Sequence, residues 1–142
     1  ASTLPGTPDE LSIYSNEHYY LEGNRLRRMT LRIDGFVSVH APYRGGQMVT
    51  KPLIFDGDEL VINFSTSAAG SIQVEIADAQ GKPLPGFSLD DCPPIYGDAI
   101  EEVVRWKAGS QVTALAGRPV RLRFVLRDAD LYSIRFRPKA SK

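Results

Sequence analysis

A chain of 142 residues with 17 basic and 17 acidic side chains, 42% hydrophobic and 24% charged, is long enough for one domain with its own core. The balanced charge argues against a nucleic-acid binder or a protein held on an anionic membrane, both of which carry a basic excess. One cysteine, Cys92, rules out an internal disulfide and a multi-cysteine zinc site, and no apolar run approaches the roughly 20 residues of a membrane span.

Residues 1–9 are rich in Pro, Gly and Thr and read as a flexible N-terminal segment, with no visible signal peptide. Residues 10–15 (ELSIYS) alternate apolar and polar, as a half-buried strand does. Residues 17–22 (EHYYLE) read as a second strand that ends at Gly23-Asn24. Residues 25–33 (RLRRMTLRI) alternate except at Arg27-Arg28, which predicts a β-bulge. Asp34-Gly35 then predicts a tight hairpin back through 36–40 (FVSVH).

Residues 41–47 (APYRGGQ) read as a loop and 48–55 (MVTKPLIF) as an extended run in which Pro52 demands an edge or bulge. Residues 59–65 and 71–77 (ELVINFS, SIQVEIA) are strands joined by a small-residue connection. After the turn at 78–82, residues 83–97 hold four prolines and fit no period, so they predict a long ordered loop with a short strand near 87–89. A strand at 100–106 follows, then one or two helical turns at 110–116 between Ser110 and Gly117. Residues 120–126 (VRLRFVL) and 131–136 (LYSIRF) alternate again, and 138–142 form a polar tail. Nine to ten short strands with turns between them, and no helix long enough for a crossover, predict an all-β, antiparallel two-sheet β-sandwich over 10–137, jelly-roll-like in outline.

Three phrases carry a family resemblance: LRRMTLRIDGFVSVHAPYRGG, TKPLIFDGDELVINFSTSAAGSIQVEIADAQGKPLPGFSLDDC and VVRWKAGSQVTALAGRPVRLRFVLRDADLYSIRF. Together they resemble the C-terminal β-sandwich of bacterial glycoside hydrolase family 32/43-like proteins, which place a five-bladed propeller before it. The resemblance implies an accessory domain whose catalytic carboxylates lie upstream, in the propeller. It implies that residues 10–33 correspond to the last propeller strands and the lead into the sandwich. It further implies that the upstream propeller of a larger parent chain is the first partner, and that the setting is extracellular or periplasmic.

The residues themselves offer little catalytic chemistry. His18 and His40 are the only histidines, and Cys92 has neither near it in sequence, so Cys92 reads best as a small buried hydrophobe. Asp90, Asp91, Asp98, Glu101 and Glu102 gather around the irregular loop. Asp90 and Asp98 there can cap turns, Asp90, Asp91 and Asp98 can offer oxygen ligands to calcium, and a facing pair of carboxylates would suit a glycosidase. No other cofactor is expected. The basic run Arg25, Arg27, Arg28, Arg32 alternates along a strand and reads as a solvated or domain-facing stripe. Arg44-Gly45-Gly46 lacks the downstream Gly-Lys-Ser/Thr of a phosphate-binding loop.

Aromatic rings beside polar groups are the remaining signal. A sugar stacks its C–H face on a ring while its hydroxyls seek planar polar partners. Tyr43 beside Arg44, Tyr96 beside Asp98, and Trp106 at a strand end are the candidate ligand-binding residues, although Trp106 reads first as a filler of the core or of a domain seam. The expected function is a non-catalytic accessory module of a glycoside-hydrolase-like protein, structural and able to contact carbohydrate. The alternative is a protein-interaction or assembly module without a glycan ligand. Nucleic acid and membrane are not expected partners.

Overall fold

The computed structural model describes residues 9–139. The chain divides into two compact units, Ala1–Val37 and Ser38–Lys142. Among the described residues there is no α-helix, only two short 3-10 turns, Leu89–Asp91 and Thr113–Leu115. The antiparallel all-β class expected from the sequence is the class observed.

The described part of the first unit is a hairpin of strands β1 (Glu10–Glu17) and β2 (Arg25–Arg32). Their register runs unbroken from Glu10↔Arg32 to Glu17↔Arg25, so the bulge expected at Arg27-Arg28 is absent. The strand expected at 17–22 is absent too. Residues 18–24 form the turn instead, with His18 and Tyr20 at φ of 56° and 65°. Alternation sets Leu11, Ile13, Met29 and Leu31 on one face of the ribbon. The basic run is neutralised locally. Glu17 pairs with Arg25 and Arg27 at 2.6 and 2.9 Å, and Arg28 pairs with Glu10. Such exposed pairs fix geometry more than stability.

In the second unit, β3 (Val39–Ala41), β4 (Gly46–Val49), β5 (Glu59–Asp78), β6 (Asp98–Val103) and β7 (Val120–Arg137) form one antiparallel sheet of order β3-β7-β5-β6, with β4 also on β7. Asp34-Gly35 does turn the chain, but 36–40 does not fold back on β2; Val39 to Ala41 pairs with Leu131 to Ala129 of β7. The runs expected as four separate strands, 59–65 with 71–77 and 120–126 with 131–136, are merged into two long strands that pair along their length. The expected helical turns at 110–116 shrink to the 3-10 turn.

The merging has a physical cause. Residues 67–70 (SAAG) stand opposite Asp128 alone, between the pairs Thr66↔Ala129 and Ser71↔Arg127. Such an excess of residues on one strand bends a ribbon sharply without ending its pairing. Asp128 takes φ of 44° opposite them. An even-numbered apolar set precedes the bend (Leu60, Ile62, Phe64) and another follows it (Ile72, Val74, Ile76), and all six belong to one buried cluster with Leu122, Phe124 and Leu126. The ribbon therefore folds onto itself, and the two layers of the sandwich are two halves of one sheet. Each fully buried Leu, Ile or Phe contributes about 1.5–3 kcal/mol, the main favourable term. Because apolar residues point inward at even positions, odd positions of 71–78 and 120–127 point outward, and that outer face carries the candidate site.

Candidate functional site

The outer face of the second half-ribbon is a lattice of rows across β4, β7 and β5. Val49, Arg123 and Glu75 form one row, Gln47, Val125 and Gln73 the next; Arg121 opposite Ala77 and Arg127 opposite Ser71 flank them. Two hollows lie along it, of about 330 and 470 Å³, and Arg123 lines both.

Side chains on this floor are held in place. Arg123 donates from Nε and Nη2 to Gln47 Oε1 at 3.0 and 2.9 Å, and from Nη1 to Glu75 Oε1 at 3.5 Å. Glu75 is 5% exposed, and its other oxygen accepts the Leu89 backbone N–H at 3.3 Å. A buried carboxylate needs such partners to remain charged without large cost. Gln73 donates to the Leu89 and Cys92 carbonyls at 3.2 and 2.8 Å, which ties the 83–97 loop to the layer's edge. Arg121 donates to the Ala79 and Thr50 carbonyls at 2.9 and 3.1 Å. A row of planar polar groups is thus fixed before any ligand arrives, which limits the entropy lost on binding.

One end of the lattice is closed by the loop that joins β3 to β4. The Pro42 carbonyl accepts the N–H of Gly45 at 2.8 Å and of Asp128 at 3.1 Å, pinning the loop against the ribbon's bend. Gly45 takes φ of 86°, a conformation that favours glycine. The turn sets Tyr43 under the Arg127 guanidinium, 4.2 Å from the ring centroid, while Tyr43 stays 60% exposed. Of the sequence candidates, Tyr43 and Arg44 therefore border this lattice.

The other candidates lie elsewhere. Tyr96 is exposed on the opposite margin of the sheet, in a separate hollow of about 320 Å³ with Pro93, Pro94, Glu102 and Arg105. In strand order β7 and β5 separate β6, which follows Tyr96, from the β3–β4 loop that carries Tyr43, and the hollows beside the two rings share no lining residue. Asp98 begins β6, opposite Ser65. Asp90 and Asp91 lie in the 3-10 turn, where Asp91 accepts the Ser88 hydroxyl at 2.7 Å as a turn cap. Among the described residues no three His, Cys, Asp or Glu side chains gather as a metal-ligand group.

Trp106 is 3% exposed, donates its indole N–H to the Val74 carbonyl at 2.9 Å, and meets Phe87 edge-on at 5.1 Å. It offers no free face to a sugar, so the ligand-contact reading of Trp106 gives way to the core reading. His40 and Ser38 both bond Asp130, at 3.2 and 2.7 Å; the serine hydroxyl is turned to the carboxylate and not to the imidazole a nucleophile would require.

Cys92 is 1% exposed, and its sulfur accepts the Val74 N–H at 3.3 Å. Burial pushes the thiol pKa up, against the opposing pull of that N–H. The folded chain therefore prefers the protonated thiol. This contribution is complete below the ordinary thiol pKa of about 8.5 and fades as pH rises through the raised value. A thiol-specific reagent at pH 8 should leave the native protein unlabelled and label it fully in denaturant. Rapid native labelling would contradict the buried placement.

The polar floor of Gln47, Gln73, Glu75, Arg121 and Arg123 was not singled out by sequence. Parity marks these residues as outward-facing, but only strand pairing shows that Arg123 meets Glu75 and Gln47. No family model, curated protein or solved structure matches this chain.

Proposed function

We propose that residues 38–139 are a non-catalytic carbohydrate-binding module, with the ligand lying across the outer face of β4, β7 and β5. The observation that carries this reading is the hydrogen-bonded row Gln47–Arg123–Glu75 at the junction of two hollows, one of them lined by Arg127, whose guanidinium lies against the exposed Tyr43 ring. Fixed planar amide, guanidinium and carboxylate groups suit the paired hydroxyls of a sugar, and a ring at the rim suits its C–H face. Two hollows that meet at Arg123 suit successive units of a chain better than a single small molecule. The accessory role beside an upstream propeller, expected from the family resemblance, is part of the same proposal.

Calorimetric titration against a panel of plant and microbial oligosaccharides tests it. Saturable binding should appear for at least one glycan. Tyr43→Ala and Gln47→Ala should each weaken it by about tenfold, the worth of one good contact. Tyr96→Ala, on the far margin, should leave it unchanged. Silence across the panel, or loss confined to Tyr96→Ala, would contradict the assignment.

A second reading, contact with a protein partner, is favoured by the hairpin. A two-stranded ribbon is marginal alone, and Ile13, Leu26 and Met29 are 46%, 67% and 42% exposed.

A further inference from the structure

The groove's charge is one-sided. Arg44, Arg121, Arg123 and Arg127 line it, and Glu75 is the only carboxylate among its lining residues. Arg123 is answered by Glu75 and Gln47. Arg121 is bonded to backbone carbonyls, which leave its charge uncompensated, and Arg127 rests on the Tyr43 ring. Arg44, Arg121 and Arg127 have no carboxylate partner among the described residues. Arginines on other faces contrast with this. Arg25 and Arg27 meet Glu17, Arg28 meets Glu10, and Arg135 and Arg137 meet Glu101.

We propose, resting on the carbohydrate reading above, that the ligand is an acidic glycan whose sugar carboxylates are held by Arg44, Arg121 and Arg127. A guanidinium presents parallel N–H donors that match a carboxylate in a fork, a geometry with both strength and direction. At about 3.4 Å per residue, Arg121 and Arg127 are roughly 20 Å apart along β7, the reach of several sugar units. Repeated acid groups along a chain would meet successive arginines, with Arg123 and Gln47 between them for hydroxyls. The zero net charge of the whole chain favours this local recognition over diffuse attraction to a nucleic-acid backbone.

The test compares three probes on the full chain: oligogalacturonate, the same oligomer fully methyl-esterified, and a single-stranded oligonucleotide of similar length. The free acid should bind at least tenfold more tightly than the ester and should weaken as salt rises. Arg121→Gln with Arg127→Gln should abolish that preference. Arg44→Gln, on an exposed loop, should reduce it and keeps the test decisive if the double variant does not fold. Equal affinity for acid and ester would overturn the acidic-ligand inference while leaving carbohydrate binding intact. An oligonucleotide that binds as tightly as the free acid would overturn the ligand class. Absence of binding to all three, together with silence across the neutral panel, would overturn both proposals.

Discussion

Gly70→Val is expected to prevent the second unit from folding, and Gly70→Ala to cost about 3 kcal/mol or more. Gly70 is buried where the β5–β7 ribbon doubles over. A Cβ placed there would lie 2.3 Å from the Asp128 carbonyl oxygen and 2.7 Å from that of Arg127. Both are backbone atoms of the partner strand, so no side-chain rotation relieves the contact. Relief would require the two strands to part at the bend, and both layers of the core depend on their staying paired. Against a typical total of about 5–15 kcal/mol, a valine there leaves little or nothing. Denaturant midpoints followed by Trp106 fluorescence provide the measurement. Gly81→Ala is the useful comparison: nothing lies within 4 Å of its added Cβ, and only its φ of 90° opposes the change. That variant should lose about 1 kcal/mol. A neutral Gly70→Ala would mean that the ribbon does not bend as described.

Trp106→Ala should destabilise by about 3–5 kcal/mol, the usual cost of emptying a large buried aromatic site. The void would sit between Phe87 and the Val74 backbone, and the Val74 carbonyl would lose its indole donor. Trp106→Phe separates the two contributions. It keeps most of the apolar surface and removes the hydrogen bond, so it should cost about 1–2 kcal/mol. Glycan affinity should survive Trp106→Phe, because the ring lies in the core. Chemical denaturation and titration of the same two variants check both statements. Unchanged stability with lost binding would return Trp106 to the role of a stacking platform.

Much of the fold was legible because burial has a period of two. The inward sets Ile72/Val74/Ile76 and Leu122/Phe124/Leu126 follow from alternation alone and are all buried, whereas 59–65 reads only as a strand, in which Val61 is as buried as Leu60, Ile62 and Phe64. Merging of these runs into two continuous strands was not legible. It depends on 67–70 bulging against Asp128, and small residues in sequence look the same in a bulge as in a loop. The hairpin was misread for a related reason. Asp34-Gly35 is a local turn signal that says nothing of which strand comes next to pair, and β3 finds its partner 90 residues away in β7.

The candidate site divides in the same way. Tyr43-Arg44 stood out because a ring and a guanidinium in a Pro/Gly loop are a local pattern. Arg123, Glu75 and Gln47 each look like ordinary outward residues of separate strands. Their meeting is a product of non-local register, and so is the collection of arginines along one groove. Tyr96 and Asp98 satisfied the same local pattern as Tyr43 and Arg44, yet two strands separate the pairs. Trp106 shows the converse: its size favours the core from sequence alone, and the fold adds the partner, with the indole turned inward onto the Val74 carbonyl.

Backbone amide mapping by NMR during titration with oligogalacturonate tests the central assignment most directly. Progressive shifts should concentrate at Tyr43 to Gln47, Gln73, Glu75, Arg121, Arg123 and Arg127, with Ile95 to Asp98 and the 10–32 hairpin still. Shifts centred on the Tyr96 margin or the hairpin, or a spectrum that does not change at saturating oligomer, would contradict it.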